Sequence, residues 1–386
     1  MLLGADDQLR PTIFAEMSAL ALSTGSINLG QGFPDEDGPP EVLEAARQAI
    51  SDGINQYSPG RGLPVLRNAI ADHQQRFYDI VVDPDREVLV TAGATEALAS
   101  TILALTEPGD QVVTLEPFYD SYAAMIGLAG AEHVTVPLRW PAFQPDHDDL
   151  RAAVNDRTRI ILINTPHNPT GSVLDRATLE LIVGLATKHD AIIVTDEVYE
   201  HLLFGAEHVA VASIPAARER TVSISSGGKT FSTTGWKIGW LTAPAPLVEA
   251  ILAVKQFLTF VNGAPFQPAI AVGLGLPREY FQGVASTLRS RRDLLSAGLT
   301  SAGFSVSSPK AGYFVIADAA PLGFTDGAEF CRQLPGLAGV VGVPVSAFVR
   351  PEHRFDYRSL VRFAFCKKVD VLEEAAARLA GLATLS

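Results

Sequence analysis

Lys229 is the residue through which this chain could do covalent chemistry. It stands in Ser225-Ser226-Gly227-Gly228-Lys229-Thr230-Phe231-Ser232-Thr233-Thr234-Gly235-Trp236-Lys237, and the whole chain holds only seven lysines. A serine lies three places before it and a second lysine eight places after it. That spacing sets an amine nucleophile beside two groups able to hold a phosphate. A phosphate-bearing aldehyde cofactor needs such a set, and pyridoxal phosphate fits. Alone, a Gly-Gly-Lys turn is a plain loop, so the reading depends on its company.

Asp196 closes the apolar run Ala191-Ile192-Ile193-Val194-Thr195. A carboxylate at the end of a central parallel strand stands where open α/β sheets bind ligands. Opposite a pyridine nitrogen it would keep that nitrogen protonated. Tyr199 could hydrogen-bond the ring's phenolic oxygen, as could Asn168 in the turn Asn164-Thr165-Pro166-His167-Asn168-Pro169-Thr170-Gly171. His167 reads as a flanking loop histidine, because Lys229 already supplies a base. Gly93-Ala94-Thr95 opens a helix, and amides at a helix N-terminus cradle phosphate, with Ser226 and Lys237 adding contacts. Tyr119 could stack on a flat ring, with Phe118 pointing the other way. Arg362, flanked by apolar residues in Leu360-Val361-Arg362-Phe363-Ala364-Phe365, would be costly to bury unpartnered. Either a salt bridge or a two-point grip on a substrate carboxylate explains it.

These residues need a scaffold that delivers them to one edge. Val88 to Val90, Gln111 to Leu115, His133 to Val136, Arg159 to Ile163, Ala191 to Thr195 and Thr221 to Ser225 read as strands. Their apolar runs lack period-two alternation, as in parallel sheets covered on both faces. Thr95 to Thr106, Asp175 to His189 and Pro246 to Phe257 read as intervening helices. The expected fold is α/β, a mostly parallel doubly wound sheet with a smaller α+β domain. Residues 41–278 would form the large cofactor-binding domain; residues 1–40 and 279–386 would form an N-terminal arm and small domain. The last helix is expected over Val371 to Leu382, capped by Asp370.

The chain has 386 residues, 47% apolar and 19% charged, which suits a packed globule of two domains. A net charge of −13 argues against nucleic acid or an anionic membrane as partner. Cys331 and Cys366 form no CxxC, and no cluster has metal-ligand spacing. The start, Met1 to Asp7, lacks a basic and apolar secretory pattern, and no run is long enough for a membrane helix. A cytoplasmic location is expected.

Asn28-Leu29-Gly30-Gln31-Gly32-Phe33-Pro34-Asp35, Asn55-Gln56-Tyr57, the Gly93 turn, Asn168-Pro169-Thr170-Gly171, Asp196-Glu197-Val198-Tyr199, the Lys229 segment and Val361-Arg362-Phe363 resemble fold-type-I pyridoxal-phosphate aminotransferases of class I/II, in that order. Within that family the chain is most similar to the kynurenine/glutamine/methionine subgroup, and within that to actinobacterial N-succinyldiaminopimelate aminotransferases. Phe14 to Ala19 and Gln31 to Pro40 carry the nearer likeness. The resemblance implies that Lys229 holds the cofactor's aldehyde and Asp196 pairs with its ring nitrogen. Asn168 and Tyr199 would bind the phenolic oxygen, and Tyr119 would stack on the ring. Ala94 and Thr95 amides, Ser226, Lys237 and Tyr57 of the other subunit would hold the phosphate. Arg362 and the Gly32 amide would bind the substrate α-carboxylate, with Phe14, Phe260 and Val261 lining the side-chain pocket. It further implies a homodimer, and an amino acid and a 2-oxo acid such as 2-oxoglutarate as substrates. Three other readings compete. A cysteine-conjugate β-lyase would keep the fold. A nicotinamide dehydrogenase is disfavoured by the lack of G-x-G-x-x-G after the first strands. A non-catalytic regulator is disfavoured by the intact Lys229.

Overall fold

The computed structural model describes residues 12–384. The reading of Met1 to Asp7 lies outside them. A seven-stranded sheet runs in the order Val88–Ala92, Ile238–Thr242, Thr221–Ser226, Ile192–Asp196, Thr158–Asn164, Gln111–Glu116, Glu132–Pro137. Every neighbouring pair is parallel except those made by Ile238–Thr242, which is antiparallel on both sides. Alternate residues of the buried strands feed two different cores. Val113, Ile161, Ile163 and Ile193 pack on one face. Val112, Ile160, Leu162, Val194 and Ile224 pack on the other. Both faces are covered, so the apolar runs are unbroken.

Arg278–Ser301 is a 24-residue helix beside a second sheet, ordered Val343–Pro344, Leu360–Ala364, Phe314–Asp318, Ser305–Val306. Its core, with Phe314, Phe330 and Phe363, also buries Met17, Ala21 and Leu29 from the N-terminal segment. That core includes Tyr199, so the two sheets share a buried seam where the candidate ligands lie.

Several elements differ from expectation. The strand Ile238–Thr242 and the helices Pro40–Ser51, Pro64–Tyr78 and Phe266–Leu274 are additional. The last helix starts at Val369, with Lys368 at its N-cap, and ends at Leu379 in a 3-10 turn. Asp370 therefore does not cap it but sits in the first turn, where a carboxylate still favours the helix dipole. Among the described residues no helix is long and apolar enough to cross a membrane.

Candidate active site

The six strands of common direction all end at one sheet edge, and their last residues are Ala92, Ser226, Asp196, Asn164, Glu116 and Pro137. The antiparallel strand starts at that same edge, pairing Ile238 with Ala92 and Gly239 with Ser226. This is how Lys237, just before it, reaches the others. Between them lies a cavity of about 180 Å³ whose lining includes Ala94, Thr95, Tyr119, Asn168, Asp196, Tyr199, Ser226, Lys229 and Lys237. The cavity thus gathers nine of the residues singled out from sequence.

One end suits a phosphate. The helix Gly93–Leu105 opens there without a side-chain cap, so its first amides are free for a ligand. Lys237 Nζ stands 3.5 Å from Thr95 Oγ1. Gly93 has φ +70°, and a Cβ on it would lie 3.1 Å from Lys237 Nζ. Gly239 admits no side chain either, since its Cβ would stand 2.5 Å from the Gly93 carbonyl carbon. Two glycines therefore let the helix start abut the strand.

The middle suits a protonated heterocycle. Asp196 is buried, and burial pushes its carboxyl up to about 6. Tyr122 donates its hydroxyl proton to Asp196 Oδ2 at 2.7 Å. No cation pairs with Asp196 within 4 Å among the described residues, so a ring N–H⁺ would supply the missing countercharge. Asn164 Nδ2 donates to the Asp196 carbonyl at 2.8 Å, and Asn164 Oδ1 accepts the Asn168 amide at 2.7 Å. Asn164 thereby fixes the Asn168 turn against the Asp196 strand. His167 is buried with Thr170 Oγ1 2.8 Å from its Nδ1, a structural partner.

Lys229 Nζ lies on the cavity wall, 3.5 Å from the Gly32 carbonyl and 5.8 Å from the Tyr199 and Tyr313 ring centres. Desolvation lowers its pKa, which favours the neutral, nucleophilic amine. Tyr313 donates to the Lys229 carbonyl. A Cβ on Gly32 would stand 2.2 Å from Phe314 Cζ, so only glycine fits beside Lys229.

Arg362 projects from the small sheet and is only 1% exposed. Nη1 donates to Asn168 Oδ1 at 3.1 Å and Nη2 to the Gly30 carbonyl at 2.8 Å, while Nε has no partner. Its guanidinium carbon lies 3.9, 4.8 and 5.1 Å from the Phe314, Phe348 and Phe14 ring centres. No carboxylate pairs with it among the described residues, and burial lowers its pKa to about 10. The salt-bridge explanation fails. A buried guanidinium with a free N–H and aromatic walls suits an incoming carboxylate.

Six expected residues are outside the lining: Arg362, Gly32 and Phe14 adjoin it through Asn168 and Lys229, whereas Tyr57, Phe260 and Val261 stand apart. Tyr57 is 83% exposed and packs on Phe260 at 5.5 Å, and Val261 lies beside Tyr57. Tyr122, Asn164 and Tyr313 were not singled out by sequence reasoning. Of these, Asn164 opens the turn quoted for Asn168, and Tyr122 follows Tyr119 by three residues. Among cations that a distal substrate carboxylate would need, Arg61 and Arg350 are engaged by Glu249 and Glu352. Arg354 is exposed.

The donor set therefore fits pyridoxal phosphate at each end: amine, uncompensated carboxylate, phenolic-oxygen donors and helix N-terminus. The sequence profile of the family described as aminotransferase class I and II matches residues 24–379, and the chain belongs to that family. It is a pyridoxal-phosphate-dependent aminotransferase of fold type I, moving an amino group between an amino acid and a 2-oxo acid. Among its relatives, a Mycobacterium tuberculosis protein described as a probable N-succinyldiaminopimelate aminotransferase is 50% identical, covering 97% of this chain and 98% of the relative. The methionine aminotransferase of Escherichia coli is 39% identical, with 96% of each chain covered. The solved structure of N-succinyldiaminopimelate aminotransferase from Mycobacterium tuberculosis superposes with a TM-score of 0.94 at 50% identity, covering 96% of this chain and 97% of that one.

Proposed function

We propose that this enzyme transfers the amino group of N-succinyl-LL-2,6-diaminopimelate to 2-oxoglutarate, in lysine biosynthesis. The observation that carries a carboxylate-bearing substrate is Arg362, buried and without an acidic partner. The 50% identity to the mycobacterial relative, against 39% to the methionine enzyme, supports the donor.

Bound pyridoxal phosphate supplies an aldehyde for the amino group and an electron-accepting ring. The chain's residues do the rest. Arg362 and the Gly32 amide grip the α-carboxylate, which fixes the substrate's Cα–H for removal. The desolvated Lys229 amine would take that proton from Cα and return it to the carbon that carried the cofactor's aldehyde, two atoms along. Asp196 holds the ring nitrogen's proton, and Asn168 Nδ2 and Tyr199 donate to the ring's oxygen. Tyr119 stacks on the ring. Ala94, Thr95, Ser226 and Lys237 hold the phosphate.

The enzyme works as a homodimer in the cytoplasm. Tyr57 is too exposed to serve its own cavity, so the partner subunit's Tyr57 completes the phosphate site, and Phe14, with the partner subunit's Phe260 and Val261, lines the side-chain pocket. Residues 41–278 form the cofactor domain; residues 1–40 and 279–386 carry Arg362 and close on it.

The test is a donor panel with 2-oxoglutarate: N-succinyl-LL-2,6-diaminopimelate, methionine, kynurenine, glutamine and a cysteine conjugate. The succinylated donor should show the highest kcat/KM, and Lys229→Ala should abolish turnover. Preference for methionine or kynurenine would reassign the donor, and pyruvate released without an oxo-acid acceptor would mark a β-lyase.

A further inference from the structure

Immediately past the strand that ends at Asp196, the chain enters a buried polar network that the cavity does not include. Glu197, Glu200, His201 and His208 meet His73 and Tyr78 from the helix Pro64–Tyr78. His73 Nε2 and His201 Nε2 face each other at 2.6 Å. One ring nitrogen of each histidine and a Glu200 carboxylate oxygen lie within 4.8 Å of one another. His73 and Glu200 are 2% and 4% exposed, so this is a built interior site rather than a surface charge cluster.

We propose that His73, His201 and Glu200 bind a divalent transition metal, with zinc the first candidate. Two imidazoles and one carboxylate form a familiar zinc donor set, and carboxylate oxygen with imidazole nitrogen suits borderline cations. Glu200 carries the support expected of a ligating carboxylate: Ser225 Oγ donates to one oxygen at 2.5 Å and Tyr78 to the other. The ligand rings are positioned by packing. His201 lies 4.3 Å from Phe281 and 4.7 Å from Phe77, and His73 lies 4.7 Å from Phe77.

Two observations oppose a cation and two favour it. Arg76 and Arg278 stand nearby, their guanidinium carbons 4.4 and 4.7 Å from the Phe77 ring centre. Glu197, held by His208 at 3.1 Å, adds a second carboxylate behind Glu200. His73 Nδ1 and His208 Nδ1 have no partner, so the hydrogen-bonded network alone leaves polar groups unsatisfied. A tetrahedral zinc would hold its two nitrogens about 3.3 Å apart, so the rings must part by roughly 0.7 Å. The ligands come from positions 73 and 200–201, which is why local spacing in the sequence shows no metal motif.

A metal there would tie the helix Pro64–Tyr78 to the turn next to Tyr199 and stabilise the floor of the cofactor cavity. Untagged holoenzyme, equilibrated with zinc and gel-filtered, should carry about one zinc per chain by elemental analysis. His73→Gln and His201→Gln, whose amides can keep the packing, should each weaken zinc binding about tenfold or more in a chelator competition. Zinc should raise the melting temperature of chelator-treated wild type by a few degrees and leave both variants unmoved. Folded wild type holding less than about 0.1 zinc per chain without a melting shift would overturn the site, as would equal zinc retention by both variants.

Discussion

Arg362 Nη1 donates to Oδ1 of Asn168 across 3.1 Å, joining the proposed carboxylate grip on the small sheet to the proposed ring contact on the large one. The bond fixes the amide's orientation, leaving Nδ2 as its free donor. Asn168→Asp would turn this contact into an ion pair and neutralise the guanidinium that the substrate needs. KM should rise roughly 10- to 100-fold for donor and acceptor alike, by steady-state kinetics, since both carry the same carboxylate. Unchanged KM values would mean that Arg362 does not bind substrate through this geometry.

Tyr122 acts on Asp196 from behind. Its hydroxyl donates to Oδ2 at 2.7 Å, and that bond favours the ionised carboxylate against the burial that opposes it. Tyr122→Phe removes about 1 kcal/mol of that preference. The dissociation constant of pyridoxal phosphate, titrated by absorbance on apoenzyme, should rise roughly five- to tenfold. An unaltered constant would show that Tyr122 only packs.

Much of this arrangement was legible in the sequence because parallel strands are apolar on both faces and end in polar residues. Asn164, Asp196 and Ser226 each follow such a run. The strand Ile238–Thr242 escaped because it contains Gly239 and follows a segment read for its lysines. The helices Pro40–Ser51 and Pro64–Tyr78 carry many polar residues on their exposed faces, which dilute the apolar signal. Tyr122 and Asp196 are 74 residues apart, and no local pattern pairs them. Tyr57, Phe260 and Val261 stand apart from the cavity in this chain, and no local motif in the sequence told that.

Asp196 also makes the apoenzyme's stability depend on pH. Folding raises its pKa from 3.8 to about 6, by burial first. The protonated form is thus the stabilising one: its contribution is complete below the unfolded pKa and is lost as pH rises through the folded one. Asp196→Asn, which cannot ionise, should therefore gain on wild-type apoenzyme between about pH 4 and pH 7, by up to roughly 3 kcal/mol. Urea unfolding of both apoenzymes across that range measures it. A difference that stays flat with pH would show that Asp196 keeps its ordinary pKa. The same substitution should weaken cofactor binding, because the stabilised apo site is the one that has lost its countercharge.

Gly93 sits where the phosphate cradle begins, with φ +70° and Lys237 Nζ 3.1 Å from the place a Cβ would occupy. Gly93→Ala imposes two separable penalties. The left-handed backbone costs about 1–2 kcal/mol for any L-residue with a side chain, and the methyl group pushes Lys237 from its place beside Thr95. Gly53 separates them, since it has φ +84° with nothing within 4 Å of its would-be Cβ. Both alanine variants should lose about the same stability by thermal unfolding of apoenzyme, near 1–2 kcal/mol. Only Gly93→Ala should also bind pyridoxal phosphate more weakly, by roughly tenfold. Equal cofactor affinity in the two variants would mean that Lys237 does not hold the phosphate, and the cradle would reduce to the helix amides and Ser226.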